Sequence, residues 1–67
     1  MNMFAERLKE IRKEYNLSQM QFGKSIGATY SAISYWELGI NEPKISYVIA
    51  ICKKYGVSAD YLLGLTD

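Results

Sequence analysis

Apolar residues recur at helical spacing along almost the whole chain. Phe4, Leu8, Ile11 and Tyr15 stand at i, i+4, i+7 and i+11, and Glu6, Arg7, Lys9, Glu10, Lys13 and Glu14 fill positions between them. That stripe predicts an amphipathic first helix over about residues 3–15. Ser18 with Gln21 three residues later has the S-x-x-Q form of a capping box, and Leu17 and Phe22 flank it as a hydrophobic staple. A second helix therefore starts at Ser18 and runs through Phe22 and Ile26 to Gly27, which can take the left-handed conformation that ends it. Thr29 can cap a third helix over about residues 30–38, with Ile33 and Trp36 inward and Gly39 as its stop. Pro43 makes "INEPK" a loop. Beyond it, Ile45, Val48, Ile49, Cys52 and Tyr55 predict a fourth helix, with Lys53 and Lys54 near its negative end and Gly56 beyond. Ser58 caps a short fifth helix, stapled by Val57 against Leu62, with Asp60 in its first turn. No segment alternates with period two, so the expected fold is all-α: one compact five-helix domain over residues 1–67.

Composition narrows what such a domain can do. Sixty-seven residues bury only about 60% of the surface that the unfolded chain exposes, which leaves a small core and no deep cavity between domains. The chain has no histidine and one cysteine, so it offers no Cys/His metal cluster and no histidine-based nucleophile or general base. We therefore expect no enzyme, no metal and no cofactor. Cys52 lies in "VIAICKKYG", where apolar neighbours favour a buried, inert thiol over a reactive one. A reducing cytoplasm is the expected compartment. No stretch approaches the roughly 20 apolar residues of a membrane span, and "MNMFAERLKE" turns charged too early for a signal peptide. The net charge of +1 carries no overall basic signature of nucleic-acid binding. Any such role must come from where the charges lie.

Two helices joined by three or four residues that include a glycine form a helix-turn-helix. Phe22 and Ile26 face Ile33 and Trp36 across the bend, and Gly23, beside Phe22, would let the helices approach closely. The stretches "LKEIRKEYNLSQMQFGKSIGATYSAISYWELGINEP" and "AICKKYGVSADYLLG" resemble, nearly end to end, the phage-repressor helix-turn-helix family (Cro and lambda-repressor-like, also called XRE). The likeness is carried by "LSQ", the turn glycine, "IS-x-WE-x-G-x-x-x-P" and "GVS-x-D-x-LLG".

The resemblance implies a five-helix lambda-repressor-like domain, with the helix-turn-helix at the second and third helices and the third entering the major groove of a double-stranded operator. By position, Gln19, Thr29, Tyr30, Ser31, Ser34 and Tyr35 match residues that touch bases or nearby phosphates in relatives. The pattern agrees, because turning Ile33 and Trp36 inward leaves Tyr30, Ser31, Ser34 and Tyr35 outward; exposed hydroxyls of this kind also occur as plain solvated surface. The third helix carries no Arg, Lys, Asn or Gln for a bidentate base contact. Phosphate contacts are expected from Ser18 at the positive end of the second helix, from Lys24, and from Asn41 and Lys44 after the third; the bland alternative for either lysine is ordinary solvation. Lys44 stands where a cap would prefer Ser or Asp. Arg12 and Glu37 match positions that form a structural ion pair in relatives, so Arg12 is assigned to Glu37 rather than to phosphate. The expected function is a transcription regulator, a repressor of bacterial or phage type, acting as a homodimer, with Leu62, Leu63 and Leu65 available to a small dimer surface or to the core. The alternative is a protein-interaction module of the same fold, such as an antitoxin or antirepressor-like partner, using its tyrosines as a hot spot.

Overall fold

Short-range capping chemistry sets most of the helix ends. The computed structural model describes residues 2–66, in five helices: α1 (Asn2–Glu14), α2 (Gln19–Ile26), α3 (Tyr30–Leu38), α4 (Ile45–Tyr55) and α5 (Ala59–Leu62). Among the described residues there is no strand. At the start of α2 the capping box is complete: the Ser18 hydroxyl accepts from the Gln21 backbone N–H at 3.1 Å, and the Ser18 N–H donates to Gln21 Oε1 at 2.9 Å. Thr29 and Ser58 cap α3 and α5 in the same way, accepting from Ala32 and Tyr61 backbone N–H groups at 3.0 Å each. The first helix ends one residue before the expected Tyr15, on Asn16 in the left-handed region at φ 57°. Asparagine can take the place of glycine there because its short polar side chain tolerates that conformation.

The core is drawn from every helix. Phe4, Leu8 and Ile11 of α1 meet Phe22 of α2, Ile33 and Trp36 of α3, Val48, Ile51 and Tyr55 of α4, and Leu62 of α5. Each such side chain contributes on the order of 1.5–3 kcal/mol when removed from water. Trp36 is held edge-on by Phe4, with centroids 6.5 Å apart, and tilted against Tyr47 at 5.3 Å. Tyr55 stacks on Phe22 at 4.9 Å, and its hydroxyl is hydrogen-bonded to that of Ser25. Since α3 packs on both α1 and α2, its orientation is set by two neighbours.

Three expectations change. Tyr15 does not complete the buried stripe of α1: it is about half exposed, lies edge-on to Tyr55 at 5.0 Å and donates its hydroxyl to the Tyr55 carbonyl at 3.3 Å. The fourth helix buries Val48, Ile51 and Tyr55 and leaves Ile45 and Ile49 exposed. Its sequence is apolar over most of its circumference, so two stripes fit it, and contact with α2 and α5 selects the one containing Ile51. Arg7, placed among the solvent-facing charges, is buried: its guanidinium donates to the Tyr61 and Thr66 carbonyls and lies 4.2 Å over the Tyr61 ring, tying α5 and the segment after it to α1.

Candidate nucleic-acid interface

The bend between α2 and α3 is made by close backbone packing. Gly27 is left-handed, at φ 75°, and the next N–H, of Ala28, donates to the Gly23 carbonyl at 2.8 Å. A Cβ on Gly23 would stand 2.8 Å from the Ala28 carbonyl oxygen, 3.2 Å from that of Thr29 and 3.3 Å from Ile33 Cγ1. A real Cβ would have to displace the turn, so glycine is required by the approach of the two helices.

With Ile33, Trp36 and Glu37 buried, α3 turns its remaining side chains outward. Tyr30 is 54% exposed and Tyr35 46%, Ser31 is exposed and Ser34 half-buried. At about 100° per residue these positions and Leu38 occupy an arc of roughly 140° on the helix. Leu38, 67% exposed, joins this face unexpectedly; the one sign of it in the chain is its place four residues after Ser34 and three after Tyr35. Thr29 is exposed too, with its oxygen accepting the capping bond, which leaves the hydroxyl proton and a second lone pair for another contact.

Glu37 is the one carboxylate of α3, and it is withdrawn from this face. It is 6% exposed and accepts from Arg12 Nε at 2.6 Å, Arg12 Nη2 at 2.9 Å and Gln19 Nε2 at 3.1 Å. The hydrogen-bonded carboxylate pushes the Arg12 guanidinium above its usual value, so the guanidinium keeps its charge. Arg12 Nη1 also donates to the Leu17 carbonyl at 3.0 Å, so one guanidinium ties α1, the loop before α2, and α3 together. Gln19, expected on DNA, has its amide nitrogen on Glu37. A primary amide carries a second N–H and an acceptor oxygen, so the structural bond leaves Gln19 able to make another contact. That link joins residues 18 apart in sequence, and no local pattern announces it.

The expected phosphate ligands are all at the surface. Ser18 uses its oxygen as the α2 cap and keeps its O–H proton, and Lys24, Asn41 and Lys44 are exposed. Lys44 occupies the N-cap position of α4 without a side-chain capping bond. Lys24 and Lys44 bring positive charge to this side, alongside the exposed Glu42 of the loop before α4, and the carboxylate of α3 is paired with Arg12 from behind.

The helix-turn-helix family model matches residues 8–62 of this chain. An uncharacterized HTH-type transcriptional regulator of Bacillus subtilis (strain 168), YobD, is 34% identical over 65 residues, which are 97% of this chain and 58% of YobD. Repressor protein C2 of Salmonella phage P22 is 36% identical over 61 residues, 91% of this chain and 28% of the repressor. The chain therefore spans little more than half of the first of these relatives and less of the second. A crystal structure of the P22 c2 repressor in complex with synthetic operator 9T superposes with a TM-score of 0.84 at 34% identity, covering 92% of this chain and 94% of that one.

Proposed function

The chain belongs to the helix-turn-helix family, and from that membership we propose that it binds double-stranded DNA in a sequence-specific manner as a transcription regulator. It acts as a repressor of bacterial or phage type, in the cytoplasm, by placing α3 in the major groove of an operator. Support comes from relatives named as a transcriptional regulator and a repressor, and from the fold match to a repressor held on operator DNA. The observation that carries the reading is the division of α3 itself: its only carboxylate is buried on Arg12 and Gln19, while Tyr30, Ser31, Ser34, Tyr35 and Leu38 face outward.

Several parts follow from general recognition physics. The Ser18 hydroxyl and the positive end of α2 receive one phosphate, and Lys24, Asn41 and Lys44 receive others; these contacts set affinity and register. Base edges and nearby phosphates are met by Gln19, Thr29, Tyr30, Ser31, Ser34 and Tyr35. The Arg12–Glu37 pair holds α3 at a fixed angle to α1, so that the outward residues arrive together. One helix covers too few base pairs for tight specificity, which favours a homodimer on a two-fold site with half-sites about 34 Å apart. Of the three leucines considered for its surface, Leu62 is in the core, Leu63 is partly buried against it and Leu65 is exposed, so Leu65 is the side chain available.

Selection of bound duplexes from a random pool, followed by mobility shifts on the selected site, tests the proposal. A symmetric site is expected, with Tyr35→Ala altering which sequences bind and Lys44→Ala weakening all duplexes alike, with a salt slope smaller by about one. Failure to shift any duplex at low salt would sink it.

A further inference from the structure

Every polar group on the outward arc of α3 is a hydroxyl: those of Tyr30, Ser31, Ser34 and Tyr35. A hydroxyl rotates, and it both donates and accepts. It can therefore satisfy the acceptors of guanine, adenine and thymine or the amino donors of cytosine and adenine. Such groups hold a helix in the groove without choosing among base pairs. The side chains that do choose, by bidentate pairing, are absent from α3, and the carboxylate that could accept from cytosine is occupied by Arg12 and Gln19.

What remains on α3 with discriminating power is apolar. The rings of Tyr30 and Tyr35 and the side chain of Leu38 are exposed on this arc, and the thymine 5-methyl is the apolar group that the major groove presents to them. Tyrosine lends contact area at little conformational cost, having two side-chain torsions. Five residues of helix carry the Tyr30 and Tyr35 positions about 7.5 Å apart along the axis, roughly two base-pair steps of 3.4 Å. Resting on the DNA-binding reading above, we infer that this helix selects its site by covering thymine methyl groups. The preferred half-site carries T·A pairs beneath Tyr30, Tyr35 and Leu38, and the hydroxyls supply positioning.

Replacing thymines of the selected site one at a time with deoxyuridine tests this, because that change deletes the methyl and keeps O4 and the base pairing. Each covered methyl is worth about fourfold in affinity, the factor that corresponds to ~0.8 kcal/mol for a buried carbon of this size. Expected losses fall at two or three positions per half-site. Each is abolished by one of Tyr30→Ala, Tyr35→Ala or Leu38→Ala, and it persists in Tyr35→Phe if the ring of Tyr35 covers that base. At the same positions a 5-methylcytosine·guanine pair binds better than cytosine·guanine. Equal binding of the thymine and deoxyuridine duplexes overturns the inference while leaving DNA binding intact, as does a methyl effect that survives all three alanine variants. Absence of binding to every duplex overturns both readings. The deoxyuridine comparison leaves the protein untouched, so a poorly folded variant cannot blur the outcome.

Discussion

Replacing Gly23 by alanine sets two effects of opposite sign against each other. In a helix interior alanine is favoured over glycine by roughly 0.8–1 kcal/mol, so an exposed site would be stabilised. Here the new Cβ would meet the Ala28 carbonyl oxygen at 2.8 Å and that of Thr29 at 3.2 Å. Both are backbone atoms of the turn between α2 and α3, and that turn is itself anchored by the Ala28 N–H on the Gly23 carbonyl at 2.8 Å. They cannot swing away as a side-chain end could, and Ile33 closes the third direction at 3.3 Å. Forcing atoms into such a contact costs about 1–3 kcal/mol, more than the propensity gain over most of that range. The expected net loss is about 1 kcal/mol, or roughly 4–8 °C in Tm for a domain of this size.

The displaced turn carries the start of α3 with it, so Gly23→Ala should also lower the preference for the selected operator over an unrelated duplex. Gly27→Ala is the control: at φ 75° with nothing within 4 Å of a Cβ, it costs about 1–2 kcal/mol through left-handed backbone strain without pushing on α3. Thermal unfolding by circular dichroism and competition binding on both variants give the answer. Were Gly23→Ala as stable as the parent and equal to it in operator preference, the close-approach reasoning would be refuted.

The buried pair gives a double-mutant cycle. Arg12→Ala and Glu37→Ala should each destabilise by about 3–5 kcal/mol because each strands the other charge, and the double variant should lose clearly less than the sum; additive losses in urea unfolding would show that the two do not act as a pair. Arg7→Met keeps the aliphatic stem and removes the donors to the Tyr61 and Thr66 carbonyls, so amide exchange should quicken across residues 61–66 while α2 and α3 keep their protection. Uniform quickening would point instead to a loss of global stability. Burial pushes the Cys52 thiol above its ordinary value, and the sign is that of an acid disfavoured when charged in the folded state: the neutral thiol's contribution is complete below the ordinary thiol range and is lost as pH rises through the raised value. Stability at alkaline pH should therefore fall less steeply in Cys52→Ser than in the parent, and parallel curves would contradict it.

The features that could be read from the chain are those decided within one turn of helix. Ser18 with Gln21, Thr29 with Ala32 and Ser58 with Tyr61 are contacts three residues apart, so the starts of α2, α3 and α5 follow from a few letters. The face of α3 was legible for a related reason: Ile33 and Trp36 define an inward side on a short helix, and the outward side is what is left. Where a helix offers two apolar stripes, as α4 does, periodicity cannot choose between them; Ile51 is inside and Ile45 outside because α2 and α5 lie on that side. Long polar side chains escape such reasoning further still. Arg7 lies between Phe4 and Ile11 at the edge of the buried stripe of α1, a position equally consistent with solvent, and its burial depends on carbonyls 54 and 59 residues away. Gln19 likewise reads as a surface residue at a helix start until α3 brings Glu37 to it. At this site the local signals name the residues that face outward, and the long-range ones fix the angle at which they do so; the second set is what a variant of Arg12 or Gly23 would disturb without touching DNA.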